Sequence, residues 1–214
     1  TMADFRIYVA CLASYNAGRL HGAWIDVDGK DASDIWDEIA AMLRASPHPN
    51  VTVSCPDCAG EGTLDGAQCS SCKGRGAVPS AEEYAIHDHE GFGRLIGEYS
   101  SIEDVATIAG ALGSDHEIGF RWLVEDIGMS PADAAEKAGD VIIWEGDRGQ
   151  SRERLLGDYA SEFFEETGGL ESVPESVRNY IDWEAMGRDW DLGGDISTFE
   201  HDRTIYIICN PLEF

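Results

Sequence analysis

Positive charge is scarce in this 214-residue chain, where fifteen Lys and Arg stand against forty-one Asp and Glu for a formal net charge of -26. A surface this acidic repels phosphates, which excludes direct binding of nucleic acid and points to a basic protein as partner. Long apolar runs are missing too. None approaches the roughly 20 residues that span a bilayer, and no charged, apolar and small-residue leader opens the chain, so the expected location is cytoplasmic, away from membranes. Recognisable catalytic groupings are absent as well. Gly91-Phe92-Gly93 lacks the Lys and helix context of a phosphate loop. In an extended His87-Asp88-His89-Glu90, alternation sends the two His to one side and the acids to the other, unlike the helical i, i+4 pair of a zinc protease. No nucleophile stands with an evident base, and no enzyme is expected.

The acid is not spread evenly. Residues 1–54 and 55–80 are nearly balanced, whereas residues 81–139 hold thirteen acids against three bases and residues 140–214 hold eighteen against six. A disordered acidic tail would be poor in aromatics. This part instead contains Phe120, Trp122, Trp144, Phe163, Phe164, Tyr180, Trp183 and Trp190, enough for a core under a charged surface.

Local pattern predicts an α+β chain of three small domains. In residues 1–90, Phe5–Leu12 and Ala23–Val27 read as strands, and Ser33 is placed to cap a helix carrying Ile35, Ile39, Met42 and Leu43 on one face. After a glycine-rich insertion (54–79), Glu83–His87 reads as a strand returning to the same small antiparallel sheet. Residues 91–139 are helical, with starts at Ser101 and Ser130 and stops at Gly113, Gly128 and Gly139. Ser130-Pro131-Ala132-Asp133 combines a capping hydroxyl, a first-turn proline and an acid at the positive helix end. Residues 140–214 return to α+β, with strands at Val141–Trp144 and Thr204–Cys209 and a helix from Arg152 to Thr167. A capping box at Ser172–Glu175 predicts a further helix through Val177, Tyr180 and Ile181.

The insertion repeats CxxCxGxG: Cys55-Pro56-Asp57-Cys58-Ala59-Gly60-Glu61-Gly62, then Cys69-Ser70-Ser71-Cys72-Lys73-Gly74-Arg75-Gly76. Each CxxC turn aims two thiolates at one centre, and four thiolates close a tetrahedral shell with no open position for water. The expectation is one structural zinc on Cys55, Cys58, Cys69 and Cys72, replacing a core that so short a segment cannot build. A redox dithiol and free thiols are the alternatives. The repeat resembles the zinc-binding segment of DnaJ-type chaperones over about 22 residues, but no His-Pro-Asp of a J-domain occurs. Cys11 and Cys209 lie in apolar strands and read as small core residues.

The helix after Ser151 puts Leu156, Tyr159 and Phe163 on one face and Asp158, Glu162 and Glu165 on another. Like charges at i, i+4 cost roughly 0.2–0.5 kcal/mol per pair, so an acidic ridge needs a reason, although an ordinary solvated face is the competing reading. Carboxylates one turn apart are about 5.4 Å apart, sparser than the one charge per roughly 1.7 Å of duplex DNA. Several ridges together can reproduce a duplex's field. Asp158, Glu162, Glu165 and Glu166 are the leading phosphate-mimic candidates, joined by Glu103, Asp104, Glu125 and Asp126 of the helical segment.

Nearly the whole chain resembles the ArdA antirestriction proteins, DNA mimics carried on mobile elements. The resemblance rests on Ile7-Tyr8-Val9, Tyr15–Trp24, Glu82–Asp88, Ser101–Asp104, and above all Val173-Pro174-Glu175 through Tyr180–Asp189. It implies an elongated, curved chain of three small α+β domains, a homodimer through the third, and occupation of the DNA groove of type I restriction-modification enzymes without catalysis. The family's antirestriction motif maps near Leu155–Glu175. The cysteine insertion departs from the family pattern. An acidic, zinc-containing module for another basic nucleic-acid-binding protein is the alternative reading.

Overall fold

The computed structural model describes residues 5–214 as two compact units, one ending at Ser114 and the other spanning Asp115–Phe214. Each is a mixture of helices with small antiparallel sheets, the α+β class expected. Among the described residues no helix is long and apolar enough to cross a membrane.

The first unit begins with β1 (Arg6–Cys11), a one-turn α1 (Leu12–Asn16), β2 (Gly22–Asp26) and α2 (Ala32–Arg44). The insertion follows as β3 (Val51–Ser54), β4 (Thr63–Leu64), β5 (Ala67–Gln68) and β6 (Ala77–Ser80). Then come β7 (Tyr84–Glu90) and α3 (Ile102–Leu112). β1 is the centre of an antiparallel sheet ordered β2-β1-β7, so β7 does rejoin the opening strands. The i, i+4, i+7 run of α2 buries Ile35, Ile39, Met42 and Leu43, over a sheet contributing Ile7, Val9 and Ile25. Its cap is Asp31, whose carboxylate accepts the Asp34 N–H at 3.0 Å, two residues before the expected Ser33, which lies inside the helix. Either residue satisfies the chemistry of an N-cap. Asp31 holds the position because its backbone is extended, with φ -84° and ψ 171°. The pairing of β1 with β7 slips between Tyr8 and Val9, leaving His87 as an extra residue. This bulge breaks the alternation expected for His87–Glu90. His87 meets Tyr15 edge-on at 5.0 Å between ring centres, while His89 meets Phe92 at 6.1 Å.

The second unit comprises α4 (Glu117–Glu125), α5 (Pro131–Lys137), β8 (Ile143–Glu145), α6 (Arg152–Glu166), α7 (Glu175–Arg178), α8 (Trp183–Gly193), β9 (Ser197–His201) and β10 (Thr204–Ile208). Its sheet runs β8-β10-β9. Ser101 and Ser130 cap at the expected helix starts, and Ser151 does the same for α6, each accepting an N–H three residues on. The expected capping box at Ser172 is not made. The Ser172 hydroxyl turns back to the Gly169 carbonyl, the N-cap falls at Pro174, and α7 lasts a single turn, with Arg178 donating to the carbonyls of Leu170 and Val173. The longer helix is α8, capped by Asp182 and ended by Gly194 at φ 81°. It lies so close on α6 that a methyl at Gly187 would overlap the Leu156 carbonyl oxygen. Leu155, Leu156, Ile196 and Ile207 form the buried centre, with Trp144, Tyr159 and Trp190 packed around it.

Candidate metal centre and acidic surface

The insertion is a β3–β6 ladder carrying two loops and the β4–β5 hairpin, whose turn uses Asp65 and Gly66 at φ 52° and 77°. Its two CxxCxGxG halves fold alike. Ala59 and Lys73 both take positive φ (50° and 52°), as do Gly60 and Gly74, and Gly62 and Gly76. The halves then clasp each other, since Cys55 N–H donates to the Gly76 carbonyl and Cys69 N–H to the Gly62 carbonyl, each at 2.9 Å. The last glycine of each repeat has no room for a side chain. A Cβ on Gly62 would stand 2.6 Å from the Gly74 oxygen, and one on Gly76 would overlap the Gly60 oxygen. The motif's glycines are thus required both for left-handed backbone and for the close approach of the two halves.

This clasp brings the sulfurs of Cys55, Cys58, Cys69 and Cys72 within 4.8 Å of one another, all buried, with the partly buried Val78 packed on them. Cys55 and Cys69 sulfurs are 3.9 Å apart, and Cys58 and Cys72 sulfurs 3.8 Å. Those distances fit a shared ion, because tetrahedral bonds of about 2.3 Å to sulfur place ligands about 3.8 Å apart. Backbone N–H groups of Gly62 and Gly76 point at the Cys58 and Cys72 sulfurs at 3.2 and 3.3 Å, the outer-shell donation that stabilises thiolate ligands. Burial pushes the Cys58 thiol up to about 11. Burial acts on Cys72 as well, but the Gly76 N–H and hydrogen bonds from Cys58 and Cys69 outweigh it and bring that thiol down to about 7. The four cysteines can bind a metal ion. Cys11 is fully buried against Ser46 at 3.3 Å, and Cys209 is half-buried in the second unit's core, both apart from this cluster.

The acidic candidates divide into paired and free. Glu103 accepts the Trp36 indole N–H at 3.3 Å, and the N–H of Asp104 is held by the Ser101 cap. Glu125 shares buried Arg121 with Glu117, at 3.5 and 2.8 Å. Partial desolvation, with the Glu125 charge beside it, holds Asp126 above the usual carboxylate range. Asp158 is not free either. It accepts from the Gln150 amide at 2.7 Å and faces Arg154 at 3.7 Å. That i, i+4 Arg–Asp spacing was readable in the sequence. Glu162, Glu165 and Glu166 are exposed, and among the described residues no cation stands within pairing distance of them. With Asp158 they place four carboxylates within about 12 Å of helix axis.

The aromatic ground behind this ridge was only half legible in the sequence. Tyr159, Phe163 and Trp190 are in mutual contact at 5.4 to 6.3 Å between ring centres. The signal was there in Tyr159 and Phe163 at i, i+4, but Trp190 arrives from α8.

The family model for antirestriction protein (ArdA) matches residues 7–204 of the chain. No curated protein matches it.

Proposed function

The chain belongs to the antirestriction protein (ArdA) family, and we propose that it acts as a DNA mimic, occupying the DNA-binding groove in the methyltransferase core of a type I restriction-modification enzyme and so protecting incoming mobile DNA. Family membership implies antirestriction, the work of an inhibitor of restriction enzymes rather than of an enzyme. The observation carrying the finer reading is the free row Glu162, Glu165 and Glu166 on α6, inside a chain of net charge -26. Charge left uncompensated on a well-packed helix costs folding free energy, and a basic groove in a partner repays it. Glu103, Asp104, Glu125, Asp126 and Asp158 supplement this row, several of them already sharing an internal donor. The test is competition: the purified protein displaces DNA from a type I methyltransferase, with an affinity that falls as salt rises. DNA binding unaffected by excess protein at low salt refutes the mimicry.

Within that reading the cysteine cluster holds one structural zinc, supported by the sulfur spacing and by the lack of any other core in the insertion. Across the two compact units we read three functional segments, residues 1–90, 91–139 and 140–214, the middle one straddling the division after Ser114, and the chain pairs as a homodimer through residues beyond about 140. Exposed Ile142, Tyr180, Leu192 and Leu212 supply apolar surface there. Two-fold symmetry doubles the acidic track against a partner whose DNA sites are bipartite. Light scattering at micromolar concentration reports the dimer, and a monomer refutes it.

A further inference from the structure

Behind the α6 ridge lies a cavity of about 410 Å³ lined by Tyr159, Phe163, Trp190, Asp195, Ile196 and Cys209. Its walls combine three aromatic rings with one carboxylate. Phe163 is 43% exposed, and Asp195 is exposed as well. On the helix, Glu162 follows Tyr159 by three residues and Glu166 follows Phe163 by three, so both acids border the aromatic stripe. Burial, with the Cys209 sulfur beside it, holds the Tyr159 phenol above its usual range, and Asp195 is the one carboxylate among the lining residues.

We infer that this cavity receives an arginine side chain of the basic partner, its guanidinium lying on the exposed face of Phe163, which meets Trp190 edge-on at 77°, and meeting Asp195 at the mouth. Ring faces attract a cation, and guanidinium is the cation that stacks flat and also pairs with a carboxylate. The molecule uses the same chemistry internally: in the first unit Arg6 stands 4.8 Å over the Trp24 ring. Among the described residues no Lys or Arg lines the α6–α8 cavity. The complementary charge belongs to a partner, and the acids bordering the pocket favour a basic one. This inference rests on the reading of the chain as a mimic that enters a basic groove. It adds a geometric anchor to an interaction otherwise made of dispersed charge.

Calorimetric titration of the full chain with an acetylated tetra-arginine amide, its citrulline counterpart and tetralysine provides the test. At about 0.5 M salt, where screening reaches only a few ångströms, the arginine peptide should still bind and the citrulline peptide should not. Lysine should bind more weakly than arginine. Phe163→Leu and Asp195→Asn should each weaken arginine binding by about threefold to tenfold, with circular dichroism confirming the fold. Asp195→Asn is a surface change and decides alone if Phe163→Leu fails to fold. Equal binding of lysine and arginine, untouched by both variants, overturns the proposal. So does a light-scattering shift from dimer to monomer in Phe163→Leu, which would make a second copy the occupant. DNA competition by the wild-type chain separates the two levels: competition with an indifferent pocket sinks only the anchor, whereas its absence sinks the mimicry beneath it.

Discussion

The cysteine insertion and the α6–α8 pair solve opposite problems. The insertion is nearly neutral, rich in glycine, and buries little besides four sulfurs and Val78. The helix pair buries Leu155, Leu156, Ile196 and Ile207 under a ring of aromatics, and carries free carboxylates outside. Apolar burial contributes roughly 25 cal/mol per Å², enough to hold a helix whose surface charges repel. A segment without such burial must find its free energy in a ligand. On the proposed reading, one region gives up stability for function, and the other draws its stability from a metal.

The largest effect should come from removing that metal. Elemental analysis should give one zinc per chain. Chelation or Cys58→Ser should abolish amide protection in β3–β6 and β4–β5, since structural zinc contributes on the order of 10 kcal/mol in small thiolate modules. Inhibition should mostly survive, because residues 55–80 hold three acids against two bases. Complete loss of inhibition with a folded remainder would show the two regions to be functionally joined.

Next in size is simultaneous Asn and Gln replacement of Asp158, Glu162, Glu165 and Glu166. Competition with DNA should weaken progressively as charges are removed, mainly through slower association, because long-range attraction steers the encounter. Stopped-flow measurement at several salt concentrations checks this. A folded quadruple variant that competes like wild type at every salt would return these acids to the role of a solvated face.

Smaller still, Gly187→Ala should destabilise the α6–α8 pair by about 1–3 kcal/mol, the usual cost of overpacking, seen as a lowered melting temperature with the zinc content unchanged. Gly76→Ala should do the reverse, lowering zinc affinity while the helix pair keeps its stability. The smallest effect belongs to Arg154→Ala. An exposed i, i+4 pair is worth about 0.3–0.5 kcal/mol, so stability should barely move, while Asp158 loses its counter-ion and the salt dependence of competition steepens.

The balance between what was legible and what was not follows the range of the interactions. Helix starts at Ser101 and Ser130 were readable because a hydroxyl and an N–H three residues apart decide them. The Asp31 cap was misplaced to Ser33, two capping side chains being in reach of one helix start. Ser172–Glu175 has the letters of a capping box, but the Ser172 hydroxyl donates back to the Gly169 carbonyl and the helix start falls at Pro174, which has no side-chain acceptor. α8 was missed as a helix, because its buried face is set by α6 and by glycines at the crossing. β9 was missed too, since its hairpin turns on Asp202 and Arg203, both at positive φ, where glycine or asparagine is the usual signal.

By itself the sequence determined the four cysteines and their doubled glycine spacing, the opening β1–β2 pair with its α2 helix, and the excess of acid, all features written in composition or within a few residues of chain. Tertiary structure alone decided that the two cysteine loops clasp with sulfurs 3.8 to 3.9 Å apart, that a bulge separates His87 from His89, and that Trp190 closes a pocket against Phe163. It also decided which acids are free, because a carboxylate's partner is chosen by whatever folding brings beside it: a Trp36 indole 67 residues away for Glu103, and no cation for Glu162, Glu165 and Glu166 among the described residues.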